Sequence, residues 1–378
     1  MVKMKTVILG AGISGLAAGY KTGYPIYEMA NHPGGICHSY MKDGFQFSRG
    51  GPHWIFGNER TTKAMEFIES LVELNRYDRL AGIYYNKIFP YPIQTVSQKP
   101  IVANTQYFKQ WLVDNFGINM CNMFFHPFNE KYTAGLMDEI IQFDSYKSPP
   151  AGSVGFVSKF SDPVGGLGTL VNKMAEKCDI RYTKKAVYID PIEHEIEFED
   201  ETVVEYDRLI STIPLDVIMR LCERDDFDLP YSSVFVLNIG AEQGPNLPRE
   251  HWLYIPFCKC NFYRVGFYTN VNSDKAPPGK VGLSVEIAFP STINYEDLDI
   301  DYITYHVIQE LQSWGWIKEV AVTDPTWVKT AYTWNRNPEE RERHIEWLEE
   351  RDIISIGRYA TWKFQGMAES IEQGLSIK

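Results

Sequence analysis

Apolar positions fall into two rhythms along the chain. Thr6-Val7-Ile8-Leu9 is a short β-branched run without polar interruption, the pattern of a strand buried on both faces of a parallel sheet. It leads into Gly10-Ala11-Gly12-Ile13-Ser14-Gly15 and then Leu16-Ala17-Ala18-Gly19-Tyr20, which predicts strand, glycine turn and a short helix of about two turns. Pro25-Ile26-Tyr27-Glu28 reads as a second strand. From about 61 to 144 the spacing becomes helical, with Phe67, Ile68, Leu71 and Val72 and later Trp111, Leu112 and Phe116 three to four apart, broken by Phe89-Pro90-Tyr91-Pro92-Ile93-Gln94. Lys147-Ser148-Pro149-Pro150-Ala151-Gly152 is a loop and a lobe boundary.

A helix opens at Pro163-Val164-Gly165-Gly166-Leu167, and short alternating runs at Ile180–Tyr182, Ala186–Ile189, Glu195–Phe198 and Val203–Tyr206 predict a small meander. Arg208-Leu209-Ile210-Ser211 returns to the buried parallel pattern, so the nucleotide-binding unit is discontinuous in sequence. Period-two alternation from about Val234 to Pro290 predicts an antiparallel sheet able to floor a substrate cleft. A helix near Tyr302–Ser313, the strand Ile353–Ile356 and a helix from Met367 close the chain. The expected fold is α/β: a discontinuous Rossmann-type nucleotide-binding domain (1–60, 161–230 and 331–378), an inserted helical lobe (61–160) and an antiparallel substrate domain (231–330).

Composition narrows the function. A chain of 378 residues buries a large core. Its net charge of −12 repels phosphate backbones, and without a basic patch nucleic acid is excluded as a partner. No run of 18 apolar residues occurs, so no membrane span is expected, and the glycines inside the first apolar run argue against a secretion signal. Six scattered cysteines without C-x-x-C predict reduced thiols and a cytoplasmic location, and Cys258-Lys259-Cys260 reads as two strand residues facing the same way. The histidines lack metal spacing and no nucleophile elbow is present, so neither a metal site nor a serine hydrolase is expected.

The chemistry starts at the glycine turn. Gly10 permits the tight turn, Gly12 lets backbone approach a pyrophosphate at the helix N-terminus where Ile13 and Ser14 begin the helix, and Gly15 lets helix and strand pack. Glu28, close to 20 residues on, accepts a ribose hydroxyl. A second doublet, Gly34-Gly35 before Ile36, followed by Gly50-Gly51-Pro52-His53-Trp54-Ile55-Phe56, exceeds what a dinucleotide turn needs and points to a cofactor longer than NAD.

With that doublet the chain resembles the flavoprotein superfamily of amine oxidases, protoporphyrinogen oxidases and UDP-galactopyranose mutases. The segments His251–Pro256, Phe262–Asn270 and Gly357–Phe364 look most like the mutase branch. The resemblance implies that the Rossmann-type domain is a glutathione-reductase-like FAD-binding domain, with non-covalent FAD touching Gly34, Gly35 and Ile36 and backbone near Val187 at the adenine. It also implies that Gly357 and Arg358 approach the flavin, and that Met367 brings the dipole of the last helix to the ring. In the mutases reduced flavin attacks the anomeric carbon of a nucleotide sugar, which leaves the protein to position and neutralise a diphosphate; NAD(P)H is the candidate external reductant. By the same resemblance Arg264 faces the diphosphate, Tyr332 is one of the active-site tyrosines and His53 stands beside the flavin. Phe364 occupies the place of a second family tyrosine, a departure that keeps an oxidoreductase acting on an amine or carbon ring open as the alternative. The substrate is a small molecule in either case.

Overall fold

The computed structural model describes residues 4–92, 105, 107–141 and 158–378. The loop expected at 147–152 lies outside the described residues. Five parallel strands stand in the spatial order Ile353–Ser355, Arg208–Ser211, Thr6–Leu9, Ile26–Tyr27 and Ile180–Arg181. Alternation sorts their side chains to two cores. Ile8, Ile26 and Ile210 point to one face, under the helices Ile13–Thr22, Leu167–Ala175 and Met367–Leu375. Val7, Leu9, Leu209 and Ile353 point to the other, under the helix Leu215–Leu221 and the meander Ala186–Asp190, Glu195–Phe198 and Val203–Glu205. Burial on both faces is why these strands read as continuous apolar runs.

The first helix is longer than the apolar run suggested. It spans ten residues, Ile13–Thr22, and stops at Gly23, whose φ of 72° and N–H donated to Gly19 O close a left-handed cap.

The second sheet has seven strands in the order Ile317–Thr333, Tyr231–Gln243, Lys280–Pro290, Arg264–Phe267, Trp252–Tyr254, Ala81–Tyr85 and Lys87–Pro90. Every pairing is antiparallel except Trp252–Tyr254 with Ala81–Tyr85. Its edge is the 17-residue strand Ile317–Thr333, and Pro325 is tolerated there because an edge strand leaves one side of its backbone without a partner.

The segment expected as an inserted helical lobe, 61–160, mixes helices and strands among its described residues. Thr62–Leu71 is a helix, but its Ala64 and Ile68 pack into the core of the parallel sheet. Leu74–Asp78, Ala81–Tyr85 and Lys87–Pro90 are strands: Leu74–Asp78 pairs with Lys159–Pro163, and the other two extend the seven-stranded sheet. The tyrosines and phenylalanine of Ala81–Pro90 fit a pleated surface, and cross-strand pairing decided what local periodicity left ambiguous. Helices proper occupy Phe108–Phe116 and Ile118–Tyr132, the latter with a π-helical turn at Cys121–Phe125. Their Trp111, Phe124, Phe125 and Phe128 share a core with Val234, Val236 and Ala331 of the sheet.

Candidate active-site cleft

The parallel strands change direction of succession on either side of Thr6–Leu9: Ile26–Tyr27 follows on one side, Arg208–Ser211 on the other. Open α/β sheets bind ligands at the carboxyl edge of such a switch point. A cleft of about 1020 Å³ opens there, lined by Gly10, Gly12, Glu28, Thr212 and Ile213, and runs across to the seven-stranded sheet.

At the parallel-sheet end the ligand-facing groups are mainly backbone. Gly10 has φ of 100° and donates its N–H to Tyr27 O at 2.8 Å. Gly15 is needed for packing, because a Cβ there would lie 2.0 Å from Gly10 O, whereas a Cβ on Gly12 would meet nothing within 4 Å. Gly12 therefore faces open space at the helix N-terminus, with Ile13 and Ser14 beside it on the cleft wall. Gly34, at φ 105°, donates its N–H to Ala11 O at 2.8 Å and bridges to Gly12; Gly35 and Ile36 continue the wall. Glu28 is buried and uses both oxygens on backbone, accepting Ala11 N–H at 2.7 Å and Ala30 N–H at 2.8 Å. A carboxylate has about four acceptor positions, so the turn is fastened and capacity for a hydroxyl remains. Lys184, Lys185 and Ala186 close this end. Cys37 also lines the wall, but burial pushes its thiol up to about 12, so it packs as a protonated group rather than a nucleophile.

At the other end the groups are side chains. Arg264 and Glu286 stand opposite one another on paired strands, with Arg264 Nε 2.8 Å and Nη2 2.6 Å from Glu286 Oε1. Tyr263 donates its hydroxyl to Glu286 Oε2 at 2.6 Å, and its oxygen lies 3.4 Å from that of Tyr332. Burial works against the Arg264 charge, but Glu286 overrides it and holds the guanidinium well above its ordinary value. Arg358 stacks on Phe364 at 4.2 Å and lies 5.2 Å from the Tyr332 ring centre. His53 Nδ1 is 2.9 Å from Gly51 O, so Nδ1 carries the proton and Nε2 keeps its lone pair in the neutral ring. Burial, with Arg264 and Arg358 nearby, lowers the His53 pKa despite that hydrogen bond and Glu286. The ring is therefore neutral at pH 7. Met367 begins the last helix on the cleft wall, where Glu369 caps the N–H of Gly366.

The cleft thus collects His53, Arg264, Tyr332, Arg358, Gly10, Gly12, Ile13, Ser14, Glu28, Gly34, Gly35, Ile36 and Met367. Three expected contacts fall outside its lining. Gly15 acts through packing alone. Gly357, at φ 87°, has no room for a Cβ, which would lie 2.3 Å from Ser14 Oγ; it lets the Arg358 turn approach the first helix. Val187 is 43 % exposed, and its neighbour Ala186 is the residue that lines the cleft, where a bulge shifts the register. Glu286 was missed. It is a lone carboxylate in the apolar run Val285-Glu286-Ile287, and that oddity was its signal.

The fit of a flavin dinucleotide rests on this chain's own shape: a glycine face open at Gly12, spare acceptor capacity at Glu28, and a helix start at Met367 across one continuous cleft. The model for flavin-containing amine oxidoreductases matches residues 103–376, and that for an NAD(P)-binding Rossmann-like domain matches 8–71. The chain belongs to the flavin-containing amine oxidoreductase family. As a member it is a flavin-dependent enzyme with a Rossmann-like α/β fold. Its fold is shared with a reduced UDP-galactopyranose mutase (22 % identity, TM-score 0.85, 99 % of this chain and 93 % of that one). It is shared too with a putative protoporphyrinogen oxidase from Exiguobacterium sp. 255-15 (16 %, 0.77, 100 % and 98 %) and with putrescine oxidase bound to putrescine (14 %, 0.66, 98 % and 97 %). Among the described residues of this amine oxidoreductase family member, no helix is long and apolar enough to cross a membrane.

Proposed function

We propose that the chain binds FAD non-covalently, with the adenine toward Ala186 and the ring between His53 and Arg358, and acts on a nucleotide sugar as a UDP-galactopyranose mutase does. The observation carrying this reading is the Arg264–Glu286–Tyr263–Tyr332 array with Arg358 5.2 Å from the Tyr332 ring centre. Reduced FAD supplies the nucleophile in such chemistry, and NAD(P)H is the proposed source of its electrons. The rest falls to the protein. Glu286 fixes the fork of Arg264, so its remaining N–H groups are aimed before substrate arrives. Tyr332 and Arg358 offer further donors to phosphate oxygens. Neutral His53 presents an acceptor nitrogen. The rings of Tyr254, Trp252 and Phe128 exclude water.

A second reading, an oxidoreductase removing hydride from an amine or carbon ring, is favoured by two features. Glu286 already neutralises Arg264, and Phe364 leaves a stacking ring where a hydroxyl would bind a phosphate. Titrating reduced and oxidised protein with UDP and a panel of nucleotide sugars, while following flavin absorbance, separates the two. Saturable perturbation by UDP is expected. A flat response, with hydrogen peroxide formed from an amine, would transfer the assignment to the oxidoreductase reading.

A further inference from the structure

An acidic chain has to bring a cation to any phosphate it holds, and most cations along the cleft are committed elsewhere. Lys184 is paired with Asp200, Lys185 with Glu199 at 2.6 Å, Arg220 with Asp216 at 2.8 Å and Arg264 with Glu286 at 2.6 Å. Lys329 Nζ donates to Ser291 O at 2.8 Å and Ile293 O at 3.0 Å, while Arg79 and Arg358 stand over the rings of Tyr91 and Phe364. Arg49 is different. It is an exposed residue of the cleft wall, and among the described residues no carboxylate, carbonyl oxygen or aromatic ring holds its guanidinium. Asp324, on the edge strand that Arg49 touches, is taken by Tyr40 and by Lys42 at 2.6 Å.

The backbone of Arg49 is fixed from two sides, between the two ends of the cleft. Its N–H donates to His38 O at 3.0 Å and that of Gly50 to Ile36 O at 3.1 Å, so this segment runs alongside the Gly34–Gly35 turn. Thr326 Oγ1 donates to Arg49 O at 2.6 Å and ties it to the edge of the seven-stranded sheet. The Gly34–Gly35 turn in turn meets the first glycine turn: Gly34 bridges to Gly12, and a Cβ on Gly35 would stand 3.5 Å from Gly12 Cα. On the same flank His32 lines the cleft and stacks on His38 at 3.6 Å. Burial lowers the His38 pKa, and the charges of His32 and Arg49 lower it further, so the Arg49 cation lies within electrostatic reach of the residues flanking the glycines.

We propose that Arg49 is the cation that binds the pyrophosphate of the flavin dinucleotide where the two glycine turns meet. The inference rests on the FAD reading and adds a side chain to a site otherwise made of backbone. A pyrophosphate brings a negative charge on each phosphate, whereas a helix N-terminus offers about half an elementary charge. In a protein of net charge −12 the remainder has to come from a nearby side chain. A guanidinium suits the task, because its planar fork matches two phosphate oxygens and it stays charged throughout the physiological range. Two consequences follow from exposure. The contact is screened by salt, and replacing a side chain that holds nothing in the ligand-free fold leaves the Tm of the ligand-free protein where it was.

The same chemistry suits the diphosphate of a substrate, so the experiment measures both. Flavin-loaded parent, Arg49→Gln and Arg49→Lys are diluted in steps at low and at high salt, and released FAD is read from its recovered fluorescence. UDP is then titrated into each protein at saturating FAD, by flavin absorbance. At low salt Arg49→Gln should hold FAD about tenfold more weakly than the parent, the scale of one charge-assisted contact. The gap should narrow at high salt, Arg49→Lys should fall between the two, and the response to UDP should be the same in all three. FAD held by Arg49→Gln as tightly as by the parent overturns the proposal. So does a loss that salt does not change, which marks a structural effect, and so does a loss of UDP affinity without a loss of FAD, which assigns Arg49 to the substrate. A parent that takes up no FAD fails the cofactor reading as well, whereas a parent that holds FAD beside a variant that holds it equally fails this proposal alone.

Discussion

At the parallel-sheet end of the cleft, the groups that meet a ligand are main-chain amides and bare glycine faces, fixed by hydrogen bonds within 30 residues of sequence. At the seven-stranded sheet they are Arg264, Tyr263 and Tyr332, held by Glu286; Arg264, Glu286 and Tyr332 sit on three strands and are fixed only when those strands register. The first end is specified by what side chains are missing, the second by which side chains face each other. Substitutions should therefore hurt the two ends in different ways, and the difference can be broken or sharpened by experiment.

The largest effect is expected at Gly15. Gly15→Ala drives a methyl to 2.0 Å from Gly10 O, a backbone atom that cannot retreat without parting helix from strand. Colourless or insoluble protein should result. Gly12→Ala meets nothing within 4 Å and sits at φ −67°, so it should fold with an unchanged Tm. The added methyl stands where a pyrophosphate would approach, so flavin affinity should drop by roughly tenfold or more, the equivalent of ~1.4 kcal/mol. A Gly12→Ala protein that keeps flavin as the parent does would remove the pyrophosphate from this turn.

At the other end, Glu286→Gln should leave flavin content intact and cost stability instead. Arg264 loses the charge that balances it in a buried setting, and breaking such a pair costs about 3–5 kcal/mol. The low end is expected, since the Arg264 side chain is 24 % exposed and glutamine still accepts a hydrogen bond. Urea unfolding measures it. A variant as stable as its parent would show that the array is held by strand packing and not by its charges.

These two ends also differ in how far the amino-acid sequence revealed them. The turn was legible because strand, glycines and acid lie between Thr6 and Glu28, and their spacing carries the geometry by itself. Glu286 was not, because its partner Arg264 is 22 residues away and only the antiparallel register places them opposite. The same cause misread Ala81–Pro90, whose strands pair with Trp252–Tyr254 and with each other; isolated periodicity cannot report a partner so distant in sequence. Tyr332 and Arg358 came from resemblance rather than from local pattern.

A smaller effect is expected from Phe364→Tyr. The ring already stacks under Arg358 at 4.2 Å and lines the cleft, so a hydroxyl adds one donor there. A net hydrogen bond is worth about 1 kcal/mol, and UDP should bind up to about tenfold tighter if a diphosphate lies there. Unchanged or weaker UDP affinity, read from flavin absorbance, would favour the oxidoreductase reading.

The smallest effect is on pH dependence, and its part from the ligand-facing groups comes from the side-chain end, because backbone amides do not titrate in this range. An unfolded histidine titrates near pH 6.5, whereas burial keeps the His53 midpoint lower in the folded protein. Between those two values the unfolded chain takes up a proton that the folded chain refuses. Stability is therefore complete above about pH 6.5 and is lost as pH falls toward the folded midpoint. His38, His126 and His251 are lowered in the same direction and contribute to the same loss. The contribution of His53 is consequently a difference: Tm should fall less steeply from pH 7.5 to 5 in His53→Asn than in the parent. Parallel slopes would mean that His53 is solvated in the folded protein and free to protonate, and the neutral acceptor nitrogen assigned to the cleft would then be wrong.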